Sequence, residues 1–234
     1  MSDCELAMIT GGAVRLGRAI AFELARAGYG IVLHYHTSVA EAAQTVEKIK
    51  VLGVPVYALQ ADLGDAKNIE ALFGQIQALP YRLSVLVNSA AVMPAGNLQE
   101  MGCEEWDAVM NLNLRAAWLC AKHAVPLMTQ GGVIINITDT GVHKVWSRYA
   151  AYSVSKAGLE MLTRIQAKTY APMVRVNAIA PGLMMVGRET TEDEWMKLVE
   201  KIPMKESGSP EAICSTVMFI LNNQHLCGET ITVD

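Results

Sequence analysis

The sequence predicts an α/β chain of one domain, a doubly wound parallel sheet with helices on both faces, and three observations carry this. Short β-branched runs alternate with amphipathic helical stretches from end to end, the pattern that right-handed β-α-β crossovers turn into a parallel sheet. Leu83 to Val87 is a near-continuous apolar run, which suits a strand covered on both faces. A length of 234 residues with 52% hydrophobic and 18% charged content is enough for one well-filled core.

In chain order, Leu6 to Thr10 reads as a strand that meets Gly11 and Gly12, and Leu16 to Ala27 as a helix closed by Gly28. Strand, glycine turn and helix form a phosphate cradle when the glycines let the backbone approach a pyrophosphate and the helix start meets its charge. The turn, from Thr10 and Gly11 through Arg15 and Leu16 to Gly17, is not a strict G-x-G-x-x-G, and a purely structural turn is the alternative. The second strand, Gly30 to Tyr35, leads to His36, Thr37 and Ser38, with no Asp or Glu at its end. A carboxylate there would hold ribose hydroxyls and repel a 2′-phosphate, whereas neutral donors with the nearby Arg15 would accept one, so NADPH is favoured over NADH. The alternative is that His34 and His36 are half-buried strand residues.

A helix from Val39 to Val51 and a strand from Pro55 to Leu59 lead to Asp62 and Leu63. A helix from Ala66 to Ala78 precedes the Leu83 to Val87 strand, after which Asn88, Ser89, Ala90 and Ala91 leave room for a flat ligand. Glu104 to Met128 reads as one long helix with Asn113 in its interior, a place where asparagine usually faces solvent. Gly132 to Thr138 is the fifth strand, Ala150 to Tyr170 the next helix and Val174 to Ile179 the sixth strand, running into Pro181 and Gly182. Leu183 to Ile202, with Met184, Met185 and Trp195, reads as a lid or as an ordinary surface helix. Glu211 to Leu221 and Glu229 to Val233 supply the last helix and strand.

The chemistry is expected between Asp139 and Lys156. Tyr152 and Lys156 are four residues apart and share a helix face, so the ammonium is expected to favour the phenolate and bring the tyrosine towards a working pKa. Asp139 follows the fifth strand at the edge where parallel sheets bind ligands.

Composition excludes several classes. A net charge of −4 without a basic stripe argues against nucleic acid or an anionic membrane as partner. No run is long and apolar enough for a membrane span and the start lacks a basic leader, so a soluble cytoplasmic protein is expected. Five scattered cysteines without C-x-x-C spacing indicate neither a disulfide framework nor a metal site, and read as small core residues.

Taken together, Thr10, Gly11, Arg15 and Gly17, then Asp62, the Asn88 to Ala91 segment, Asn113, Tyr152 with Lys156, and Pro181 with Gly182 resemble the short-chain dehydrogenase/reductase family over essentially the whole chain. The resemblance implies a Rossmann-type NADP-binding domain in which Tyr152 donates a proton, Lys156 tunes it and holds the nicotinamide ribose, and Asn113 holds a water. It implies that Asn88, Ser89, Ala90, Pro181 and Gly182 shape the cofactor cleft, that Asp62 and Leu63 lie at the adenine, and that Thr10, Leu16, Tyr35, His36, Thr37 and Ser38 complete the cofactor set. Three departures, Asp139 for the usual serine, Arg15 for the middle glycine, and the His34-Tyr35-His36 segment, are similar to the pteridine and dihydromonapterin reductases. Those enzymes place an aromatic residue near the position of Met93, and here a methionine stands there. Arg15, Met93, Asp139, Trp146, Tyr152, Leu183 and Met184 are the substrate candidates. Reduction of a pteridine-like C=N or C=O is therefore expected. A general carbonyl or 3-oxoacyl reductase and a non-catalytic NADPH sensor are the alternatives. Apolar residues beyond the needs of one sheet face (Trp106, Val109, Trp118, Leu119, Leu159, Leu162, Ile165), on helices that the family pairs between subunits, suggest a homotetramer.

Overall fold

In the computed structural model, which describes residues 4–187 and 190–234, seven strands form one parallel sheet in the order β3-β2-β1-β4-β5-β6-β7. The strands are β1 (Glu5–Ile9), β2 (Gly30–Tyr35), β3 (Val56–Gln60), β4 (Arg82–Asn88), β5 (Met128–Ile137), β6 (Val174–Pro181) and β7 (Thr230–Val233). The order reverses between β1 and β4, and a crevice opens there at the carboxyl ends of the strands.

Side-chain alternation along each strand divides the core in two. Leu6, Met8 and Leu86 face a layer built by α3 (Ala66–Gln77), α5 (Ala116–Ala124) and α6 (Ala150–Tyr170). Ala7, Ile9 and Val87 face α1 (Arg15–Arg26), α2 (Val39–Lys50) and α8 (Pro210–Asn222). Each fully buried Leu or Ile adds about 1.5–3 kcal/mol to the fold, so the sheet holds its register through both faces at once. Helix starts follow local chemistry: the Asp65 carboxylate accepts the Lys67 amide at 2.8 Å ahead of α3, and Pro210 opens α8.

Three expectations are corrected. The long helix from Glu104 to Met128 is instead α4 (Cys103–Met110), a π-turn at Asn111–Arg115 and α5, followed by a 3-10 turn at Val125–Leu127. The extra residue in the wide turn rotates Asn113 inward, so this mid-helix asparagine is 2% exposed and not solvent-facing. Gly158 on α6 lets the turn approach, since a Cβ there would lie 2.9 Å from Leu114 Cδ2. Strand β5 begins at Met128, which pairs with Leu83 ahead of a register shift, and not at Gly132. The 183–202 segment contains α7 (Glu192–Val199), opened by a capping box in which Thr191 and Glu194 satisfy each other's amides. Arg188 and Glu189 of that segment lie outside the described residues.

The cysteines are all free among the described residues; Cys120 and Cys214 are core, as expected, but Cys103 is exposed. No described helix is long and apolar enough to cross a membrane.

Candidate active site

A cleft of about 410 Å³ lies at the switch point, walled by the glycine turn, the end of β2, the β3 exit, the β4 exit, the β5 exit and α6. Of the residues expected there, Gly11, Arg15, Leu16, Gly17, His36, Asp62, Leu63, Ser89, Ala90, Asp139, Tyr152, Lys156 and Pro181 line it.

The glycine turn is shaped by close approach. Gly11 has φ +65°, and a Cβ there would lie 3.1 Å from Ala90 Cα. A Cβ at Gly17 would collide with the Gly11 carbonyl. Arg15 also sits at φ 50°, where a side chain costs about 1–2 kcal/mol, and its guanidinium donates to the Val186 carbonyl at 3.0 Å. No side chain caps the start of α1 and its first turn holds no acid, so its free amides and positive end are left for an anion. A dinucleotide pyrophosphate fits this arrangement of uncapped helix, glycine contacts and open cleft.

Other expected residues support the walls without lining them. Thr10 is buried, and its hydroxyl accepts the Ser89 and Ala90 amides at 2.9 and 3.0 Å, which fixes the exit of β4. Asn88 donates to the Asn136 side chain at 2.8 Å under the cleft floor. The Asn113 carboxamide accepts the Val92 amide and donates to the Val92 carbonyl, each at 2.9 Å, and donates to Ser155 Oγ at 3.1 Å. Gly182 donates its amide to the Val233 carbonyl at 2.7 Å. Tyr35, Thr37 and Ser38 stand at or just past the end of β2, with Thr37 exposed.

Four of the expected substrate residues are off the cleft wall. Met93 is 43% exposed. Trp146 lies over Gly141, where a Cβ would come 2.5 Å from its ring, and meets Tyr149 edge-on with centroids 6.4 Å apart. Met184 packs against Gly208, and the Leu183 carbonyl accepts the Gly208 amide at 3.0 Å. The Asn88 to Ala91 segment was expected at the cleft, and Ala91 lines it; reasoning from sequence missed Val14, Leu112, Ile137 and Thr138 on the wall. The signal for Ile137 and Thr138 was available: they immediately precede Asp139 at a strand end.

The reactive cluster sits where β5 meets α6. Tyr152 donates its hydroxyl to Asp139 Oδ2 at 2.6 Å, and Asp139 Oδ1 accepts the Gly141 amide at 2.6 Å. Burial, then the Asp139 charge and hydrogen bond, push the Tyr152 phenol well above its ordinary value. This reverses the expected lowering by Lys156. The lysine Nζ instead donates to the Ile137 carbonyl at 2.7 Å and lies 5.7 Å from the Tyr152 ring centroid. Burial pulls its pKa down to about 8 against the opposing pull of Asp139. The cluster therefore holds a neutral phenol, an adjacent carboxyl and a buried amine, groups that can store and deliver a proton. Among the described residues no group of three or more His, Cys, Asp or Glu is placed to hold a metal.

This sheet order, glycine turn and Tyr-Lys pair define a short-chain dehydrogenase/reductase, an oxidoreductase class. Residues 12–234 match the family model described as enoyl-(acyl carrier protein) reductase, and the chain belongs to the short-chain dehydrogenase/reductase family. The chain is similar to a 3-oxoacyl-[acyl-carrier-protein] reductase, FabG, of Staphylococcus aureus, 32% identical over 100% of this chain and 98% of that one. Among solved structures it is similar to FolM alternative dihydrofolate reductase 1 from Brucella canis complexed with NADP. The TM-score is 0.93 with 27% identity, over 99% of this chain and 92% of that one. The angucycline C-6 ketoreductase LanV with bound NADP superimposes with a TM-score of 0.91 and 28% identity, over 97% of this chain and 93% of that one.

Proposed function

We propose that the protein is an NADPH-dependent reductase of a pteridine-like substrate, a dihydropterin or dihydrofolate. The observation that carries this reading is the 2.6 Å bond between Tyr152 and Asp139 on the cleft wall. A carboxyl at this point can present a proton to a ring nitrogen, which a serine hydroxyl does poorly. The likeness to the Brucella canis alternative dihydrofolate reductase supports it.

The glycine turn and the α1 start receive the pyrophosphate, and His36, Thr37, Ser38 and Arg15 receive the 2′-phosphate. Bound NADPH supplies the hydride to the carbon of the C=N or C=O bond. Lys156 holds the nicotinamide ribose. When the Asp139 carboxyl is protonated, the pair can release one proton through Tyr152 to the substrate nitrogen or oxygen. The carboxylate-phenol pair then remains, with the phenol still neutral, so the step balances without leaving two adjacent anions.

A second reading, 3-oxoacyl or general carbonyl reduction, is favoured by the FabG identity over the full chain and by Met93 in place of an aromatic platform. The deciding experiment measures kcat/KM for NADPH oxidation with dihydropterin, dihydrofolate and an oxoacyl thioester, wild type beside Asp139→Ser. The pteridine reading expects dihydropterin turnover that falls by ~10²-fold in the variant, the scale of a lost general acid, while ketone reduction is spared. Preference of the wild type for the oxoacyl substrate, or undiminished dihydropterin turnover in the variant, replaces it with the second reading.

The assembly proposed is a homotetramer. Val109, Leu119 and Leu159 prove to be core of the single chain, but Trp118 on α5 and Val154, Met161 and Ile165 on α6 are roughly half exposed. These form a face suited to two-fold contacts, and a monomer mass by light scattering contradicts it.

A further inference from the structure

His34 is 2% exposed, faces the cleft from β2, and has no role in the proton chemistry. Both of its ring nitrogens are engaged by backbone. The Gly11 amide donates to Nδ1 at 3.1 Å, and Nε2 lies 3.0 Å from the Ala61 carbonyl. An amide can only donate and a carbonyl can only accept, so the two partners fix the ring as the neutral tautomer with its hydrogen on Nε2. An imidazolium would set N–H against N–H at Gly11. Its neighbours agree: burial holds the His34 pKa down at about 4, with the Ala61 carbonyl and Asp62 pulling up and His36 pulling down. Arg15 is the further charged group of the turn that lines the same wall.

The His34 backbone completes the clamp, since its carbonyl accepts the Gly12 amide at 2.9 Å. One residue thus binds both glycines of the turn and joins them to the exit of β3. Gly11 is the residue that needs holding, because it is at φ +65° with 3.1 Å between its Cβ position and Ala90 Cα. A turn in that conformation has many alternatives open to it. Without the imidazole acceptor, the Gly11 amide would have to rotate towards the cleft to find a partner, into the space beside the α1 start.

We propose that His34 is a positioning residue for the dinucleotide, holding the Gly11 amide away from the cleft so that the uncapped start of α1 alone faces the pyrophosphate. The inference rests on the reading that a dinucleotide lies on this turn. It concerns geometry set before binding, and its test separates the two hydrogen bonds of the ring.

Asparagine carries an acceptor where Nδ1 stands but does not reach Ala61, whereas glutamine carries a donor near the Nε2 position but offers nothing at Nδ1. His34→Asn therefore keeps the Gly11 contact and His34→Gln keeps the Ala61 contact, each with one buried bond lost. Dissociation constants for NADPH by quenching of tryptophan fluorescence, and unfolding midpoints in denaturant, are measured for both variants and the wild type. The unfolding midpoints of the two variants should fall by similar amounts, while NADPH affinity falls by roughly tenfold in His34→Gln and stays near wild type in His34→Asn, the effect of one unsatisfied buried amide. The ring itself is read by nitrogen NMR, which should show His34 neutral, with Nε2 protonated, at neutral pH. Equal loss of affinity in the two variants makes His34 a merely structural residue and overturns the inference, as does a charged ring or the opposite tautomer. Failure of the wild type to bind any dinucleotide overturns the underlying reading as well, and so is distinguishable from either.

Discussion

Replacing Asp139 by Asn removes a charge from the Tyr152 hydroxyl while keeping the shape of the acceptor. At 2.6 Å the phenol and carboxylate oxygens are in direct contact, and ionising both would set two negative charges side by side in a wall residue that is 7% exposed. Even at ~4 Å and an effective dielectric of about 20, two unit charges repel by about 4 kcal/mol, and this contact is closer, so the doubly ionised pair is strongly disfavoured. Burial contributes first and Asp139 second to the raised phenol, so Asp139→Asn should bring it partway back. The assay is the ultraviolet tyrosinate signal of each protein minus that of its Tyr152→Phe counterpart. Wild type should show no Tyr152 ionisation up to the alkaline limit of the fold, and Asp139→Asn should show one. The sign for stability follows: a pKa raised by folding contributes fully below the unfolded value of about 10. It is lost as pH climbs beyond that, so wild type is the more alkali-sensitive of the two. An Asp139→Asn protein that still shows no ionisation would mean that burial alone sets the phenol, and the carboxylate's part in the proton reservoir would be refuted.

Lys156→Met should abolish NADPH-dependent reduction. Wild type should gain stability relative to this variant as pH rises from about 8 towards its unfolded value, because a buried ammonium destabilises most below its depressed pKa; chemical denaturation across that range is the check. Asn113→Ala removes the side-chain partner of both Val92 backbone groups, and because Val92 is exposed water can replace it, so each bond counts at its net value of about 0.5–1.5 kcal/mol and the unfolding free energy should drop by about 1–3 kcal/mol. Thr37→Asp places a carboxylate past β2, and a preference of at least tenfold for NADPH over NADH, about 1.4 kcal/mol, should erode in dissociation constants; equal constants in wild type would remove the argument from the missing acid.

Most of the architecture was legible because it depends on two short-range signals, apolar periodicity and glycine punctuation. Strand β2 and helix α6 begin and end where those signals place them. What was not legible arises from packing between distant segments. The wide turn at Asn111–Arg115 has no breaker in its sequence; it forms because Asn113 meets Val92 and Ser155, 21 and 42 residues away. Strand β5 starts early because Met128 finds Leu83 before the register shifts, and pairing of that kind leaves no local mark. Methionines of the 183–202 segment suggested ligand contact, yet Met184 fills a space kept by Gly208, a choice of direction that spacing does not encode.

The site divides along the same line, between position and polarity. Spacing was enough to set Asp139, Tyr152 and Lys156 around one wall, since a helix face and a strand end are local facts. It was not enough to say which neighbour governs the phenol, because that depends on where the lysine points. Lys156 directs its ammonium to the Ile137 carbonyl, 19 residues back, and presents it to the Tyr152 ring and not to the hydroxyl. The hydroxyl is left to Asp139, whose charge and hydrogen bond add to burial in keeping the phenol neutral. A serine in that position could orient the phenol but could not raise its pKa by charge. If Asp139 acts as proposed above, the acid of the site is a carboxyl-phenol pair and not a hydroxyl tuned by a lysine.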